Sequence, residues 1–163
     1  MRSLFLLTIL VSGNLFAQDC KISRETDPFT KEIKLSTGFI PLDGGSVTID
    51  ADSKEIDILF TVEGVEKCFD NNSSAYIFFE GSKSKAMNRN GGSMNCEGLF
   101  HFIFRNSQST TSLLQRMSTQ KITHFVFTGN NKKETTVTVG PQEQKMLMEL
   151  AACLIAEAKT IIK

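Results

Sequence analysis

Residues 99–104 read LFHFIF. In an extended chain Phe100, Phe102 and Phe104 fall on one side, and Leu99, His101 and Ile103 on the other. Period-two spacing in so short an aromatic and β-branched run predicts a strand, not a helix. Both sides carry apolar residues, so this strand is expected to be at least partly buried on both faces and to lie centrally in its sheet. The chain around it should therefore supply neighbouring strands.

Towards the N-terminus, residues 80–84 look like a hairpin turn after a short strand at 75–79. The return strand, carrying Ala86, Met87 and Asn88, is weak and runs into Asn90, Gly91, Gly92 and Ser93, which predict a mobile loop ending at Cys96. Further back, Ile56, Ile58 and Phe60 alternate with Asp57, Leu59 and Thr61, and Val47 with Ile49 and Ile33 with Leu35 show the same period. Turns are expected at residues 41–45, 50–54 and 70–74. Residues 18–30, QDCKISRETDPFT, are polar and predict an N-terminal arm, tied down only if Cys20 is bonded.

Towards the C-terminus, Ser109 or Thr110 can cap a short helix ending near Met117. Residues 122–128 and 135–139 form a predicted hairpin about Gly129, Asn130 and Asn131. Gly140 and Pro141 then stop the last strand, and Pro141 suits the first position of a helix. Over residues 142–162, Leu147, Leu150, Ala151, Leu154, Ala158 and Ile161 recur at three- and four-residue intervals. Strands followed by a terminal helix indicate an α+β fold: an antiparallel sheet of about six to eight strands, with a short helix and a C-terminal helix packed on one face.

The chain begins MRSLFLLTILVSGNLFA, residues 1–17, which has the charged start, apolar core and small terminal residue of a secretory signal peptide. The apolar run, from Leu4 to Val11, is too short to span a bilayer. Asp19 before Cys20 excludes the small residue that lipid attachment requires, and no later stretch suits stable membrane insertion. Removing 17 of 163 residues leaves 146, a single domain over residues 18–163. That mature chain carries 17 basic and 18 acidic side chains, without the clustered basic face that nucleic acid demands. The aromatics of the full sequence are 13 Phe and one Tyr with no Trp, which points to core packing more than to sugar stacking.

Four cysteines, Cys20, Cys68, Cys96 and Cys153, would then meet an oxidising compartment. Their spacing is too wide for a cysteine metal site, so disulfides are expected. Three pairings are possible. Cys68 with Cys96 and Cys20 with Cys153 is preferred, with Cys68 to Cys153 the alternative. Closing the 68–96 loop is worth about 3.5 kcal/mol on the chain-entropy model, against roughly 5 to 15 for a whole domain.

Any hydrolytic or zinc site must use His101 or His124, the only imidazoles. Both fall inside strand patterns, His101 as a partly buried strand residue and His124 on the solvent face, and no G-x-S-x-G sequence is present. Asp50, Asp52 and Glu55 fail the calcium-loop spacing because Lys54 stands where an oxygen ligand belongs. Gly91 and Gly92 lack the lysine of a phosphate loop. Asn71 and Asn72 satisfy N-x-S, which matters only in a glycosylating host. No catalytic, cofactor-binding or metal-binding residue is assigned.

A signal ending in F-A-Q, the DPFT segment at residues 27–30, Asn95 with Cys96, and GPQEQKMLMELAACL at residues 140–154 together resemble the uncharacterised small secreted proteins of Gram-negative bacteria. The resemblance implies a periplasmic or secreted location and carries no site residue. The expected function is a non-enzymatic module that binds a protein or another envelope component, with residues 80–95 as the loop an inhibitor-like form would present. Carriage of a lipid or other apolar ligand is the alternative, and hydrolysis the third.

Overall fold

Alternation sorts this chain into two sheets. In β4 (Gly45–Ala51) and β5 (Glu55–Val62), Val47, Ile49, Ile56, Ile58 and Phe60 are buried, while Thr48, Asp50, Asp57 and Leu59 face outward. In the computed structural model, which describes residues 20–64 and 67–162, β5 pairs with β4 on one side and with β8 (Leu99–Arg105) on the other. β1 (Ser23–Thr26), β2 (Ile33–Ser36) and β3 (Ile40–Leu42) complete a six-stranded sheet of order β1-β2-β4-β5-β8, with β3 alongside β4. The second sheet has the order β10-β9-β6-β7, from β6 (Ser74–Phe79), β7 (Ala86–Arg89), β9 (Ile122–Thr128) and β10 (Glu134–Thr138). All described pairings are antiparallel.

Phenyl rings from both sheets fill the space between them. Phe60 meets Phe102, Phe125 and Phe127 edge to face, with centroids 4.7 to 5.2 Å apart. Phe69, on the segment that crosses from one sheet to the other, packs against Phe100 and Phe127. Edge-to-face pairs of this separation add about 0.5 to 1.5 kcal/mol each beyond area burial.

α2 (Pro141–Thr160) starts at Pro141, whose missing N–H is no loss there. Its buried stripe is Leu147, Ala151, Leu154, Ile155 and Ala158. It packs on β2, β3 and β4, touches β9, and meets the short helix α1 (Ser112–Met117). Buried Asn106 fixes its far end, donating from Nδ2 to the carbonyls of Asp52 and Ala158 at 2.8 Å each. Two disulfides close the structure: Cys20–Cys153 joins the start of the described chain to α2, and Cys68–Cys96 joins the segments that lead into β6 and β8.

The architecture departs from expectation in several places. Ten strands in two sheets replace a single sheet of six to eight, because period two reports which residues share a face and not which strands are neighbours. The helix reaches both sheets and does not lie on one face of a single sheet. β8 is an edge strand, not a central one. Its free edge is bonded in part by its own preceding loop: Gly91 N donates to His101 O, Asn90 Oδ1 accepts from His101 N, and the Asn95 amide bonds both backbone groups of Leu99. Part of the predicted arm is β1, hydrogen-bonded along β2, although all four of its residues are exposed. The turn expected at 41–45 contains the end of β3, and the N-cap position of α1 is Thr111, without a side-chain bond, and not Ser109 or Thr110. The proposed signal peptide lies outside the described residues.

Two aspartates order exposed turns through their carboxylates. Asp27 Oδ1 accepts from the backbone N–H of Thr30 and Phe29, and these bonds hold its carboxyl below the usual range. The Asn72 N–H, with the Ser73 hydroxyl and N–H, does the same for Asp70, partly opposed by desolvation. A folded value below the unfolded one, about 3.9, means that the stabilisation is fully present above that pH and is lost as pH falls through the folded value. In an NMR titration the Phe29 and Thr30 amide protons are expected to shift with a midpoint below about 3.9. A midpoint at or above that figure would exclude the arrangement.

Candidate binding surface

The outer face of the four-stranded sheet brings together apolar and cationic side chains that the inner face leaves out. In β6, Ala75, Ile77 and Phe79 point into the core, which sends Tyr76 and Phe78 outward. Cross-strand register sets Val126 opposite Tyr76 and His124 opposite Phe78 on β9, with Met87 opposite Tyr76 on β7. His124 stacks on Phe78 with centroids 4.2 Å apart, and its Nδ1 lies 3.0 Å from Thr123 Oγ1. Lys85 Nζ sits 3.6 Å above the Tyr76 ring, a cation–π contact. Met87 is 51% exposed, and Arg89 beside it is also exposed.

The hairpin carrying Lys85 is held at its tip. Arg116 of α1 donates from Nη2 to Ser84 O and lies over the Phe79 ring, with its Cζ 4.0 Å from the centroid. Ser82 and Ser84 bond one another across the turn. Residues 80–95, expected as one presented loop, are therefore two things: an exposed hairpin through β7, then a packed segment. In that segment Asn90 is only 5% exposed, and its amide bonds Asp70 O, Gly92 and His101 N. A side chain at Gly92 would collide with the His101 ring, and one at Gly91 would crowd Ile103. The mobile tip expected at Gly91 and Gly92 is thus a close-packed cover for β8.

His101 and His124 stand apart, on different sheets. His101 Nδ1 is 2.8 Å from Asp57 Oδ2, while His124 is engaged with Thr123 and Phe78. Neither is hydrogen-bonded to a serine or cysteine among the described residues, and all four cysteines are in disulfides. No group of three or more His, Cys, Asp or Glu suited to a metal occurs among the described residues. Asp52 Oδ1 caps the backbone of Lys54 and Glu55, consistent with a plain turn.

Composition points the aromatics to the core and so does not mark Tyr76, Phe78, Lys85 and Met87 as a surface cluster. The available signal was the pairing of Tyr76 and Phe78 on the face opposite Ala75, Ile77 and Phe79. No protein-family model, curated protein or solved structure matches this chain.

Asn90→Ala is expected to cost about 1 to 3 kcal/mol, because partly buried backbone groups of His101 and Asp70 lose their partner. Denaturant unfolding measures the loss. Hydrogen exchange should quicken at Gly91, Gly92 and His101, and unchanged exchange there would contradict the packed cover.

Proposed function

We propose that this is an exported binding protein with no catalytic chemistry of its own, which holds another protein or envelope component against the outer face of the four-stranded sheet. The cluster of Tyr76, Phe78, His124, Val126 and Met87 on that face, with Lys85 over Tyr76, carries the proposal. Aromatics, Met and Arg are the residues that protein interfaces enrich, and full burial of a Phe or Met side chain yields about 1.5 to 3 kcal/mol. Lys85 and Arg89 give the face a basic margin. The anchored β6–β7 hairpin suits an inhibitor-like form, in which a rigid turn meets its target without further ordering.

One observation supports export to the periplasm or beyond: both disulfides need an oxidising compartment. A second function is favoured by one feature, an open apolar groove of about 490 Å³ beside α2, floored by Met146, Leu150 and Cys153. It would suit an apolar ligand, but Lys21, Lys145 and Glu149 line it too, so we place carriage second.

The immobilised full chain, challenged with extract of its own exported fraction, tests the binding face. Tyr76→Ala combined with Lys85→Glu should leave the melting temperature within a few degrees and weaken retention of the partner about 30-fold or more, the loss typical of a hot-spot aromatic. Equal retention by the variant would reject this face.

A further inference from the structure

Phe29 is 92% exposed, the highest value among the exposed large apolar side chains of the described residues. It sits on the turn between β1 and β2, which six hydrogen bonds organise. Asp27 Oδ1 accepts from Phe29 N and Thr30 N; Asp27 N donates to Glu32 O, and Lys31 N to Asp27 O. Glu32 N donates to Thr30 Oγ1, and Lys31 Nζ to Pro28 O. Lys31 adopts a left-handed φ of 59°, which few side-chain-bearing residues do. None of these bonds reaches the core. What they fix is the backbone that carries one exposed phenyl ring.

The hairpin is also fixed at its root. Cys20–Cys153 fastens the chain just before β1 to α2, and Arg24 Nη1 pairs with Glu157 Oε2 of the same helix at 3.5 Å. A ring presented this way can be buried by a partner with little further ordering, which is how a preorganised anchor gains affinity.

The surface beside the hairpin indicates what that partner carries. A groove of about 440 Å³ runs from Glu25 and Lys34 on the hairpin to Asp50, Asp52, Glu55 and Asp57 on β4, β5 and their turn. Five carboxylates face one lysine. Asp50 stands directly opposite Asp57 across β4 and β5, an arrangement of like charges that is unfavourable unless a cation intervenes. One oxygen of each, Oδ1, is buried without a hydrogen-bond partner, and only Asp57 has His101 on its other oxygen.

We propose that Phe29 and this groove form one docking surface, for a partner protein that offers an apolar pocket to the ring and lysine or arginine side chains to the groove. The surface belongs to the six-stranded sheet, apart from the face built on Tyr76, and does not depend on it.

The test uses the full chain made in its own organism, with photoreactive benzoylphenylalanine at position 29 or, as control, at exposed Asn130. The expected result is an adduct at 29 and not at 130, formed with another protein through a Lys- or Arg-containing segment. Glu55→Lys with Asp52→Lys should reduce it at least about tenfold, and Tyr76→Ala should leave it unchanged. Excess unlabelled wild-type chain should suppress it, whereas Phe29→Ser should need about 30-fold more, the loss typical of a hot spot. Being fully exposed, position 29 should tolerate that change with an unaltered melting temperature. An adduct with a second copy of the chain, an adduct indifferent to the charge reversals, or none above the control would each overturn the proposal.

Discussion

The interlocked rings of Phe60, Phe69, Phe100, Phe102, Phe125 and Phe127 are the joint on which everything else depends. Phe60 comes from the six-stranded sheet and Phe125 and Phe127 from the four-stranded one, so the contact between them is the contact between the sheets. Replacing one such ring with alanine typically costs about 3 to 5 kcal/mol, a large part of the roughly 5 to 15 that stabilises a domain. The same packing leaves the inter-sheet space occupied by side chains. The partly exposed rings of Tyr76 and Phe78, and the exposed ring of Phe29, lie outside that joint.

Around that apolar joint, polar side chains fix the periphery. Asn90 and Asn106 bond backbone groups from distant segments, Asn90 tying Asp70 to His101 and Asn106 linking the β4–β5 turn to the end of α2, while Asn95 closes the local turn onto Leu99. The disulfides act at the same places, one beside the Asn95 bridge to Phe69 and one where the β1–β2 hairpin meets α2. Chain entropy puts their worth at about 3.5 kcal/mol for a separation of 28 residues and about 5 for 133. Exposed hairpins on a scaffold braced in this way can be rigid without being buried.

Much of the secondary structure was legible in the sequence, since β5, β8, β9 and α2 carry strong periods of 2 or 3.6. Sheet membership was not, because alternation in Ile56, Ile58 and Phe60 says which way the side chains point and nothing of which strand lies alongside. LFHFIF looked central for a sound reason, two apolar sides, but the second side is only partly covered, by Gly91 and Gly92 from the adjoining loop against His101 and Ile103. β1 has no apolar alternation to read, being exposed throughout, so its pairing with β2 came only from the fold. Cysteine spacing allowed three pairings and favoured Cys68 with Cys96 and Cys20 with Cys153, the pairing that is present. The surface clusters were the least legible: Lys85 meets Tyr76, and Asp50 meets Asp57, only through strand register.

Native mass spectrometry of the protein isolated from its own source without denaturation tests the central claim most directly, that the interior is closed and binding occurs on the surface after export. The account predicts a bare polypeptide lacking residues 1–17 and four hydrogens, the latter lost to the two disulfides. A co-purified lipid or other apolar ligand, or a full-length chain with free thiols, would contradict it.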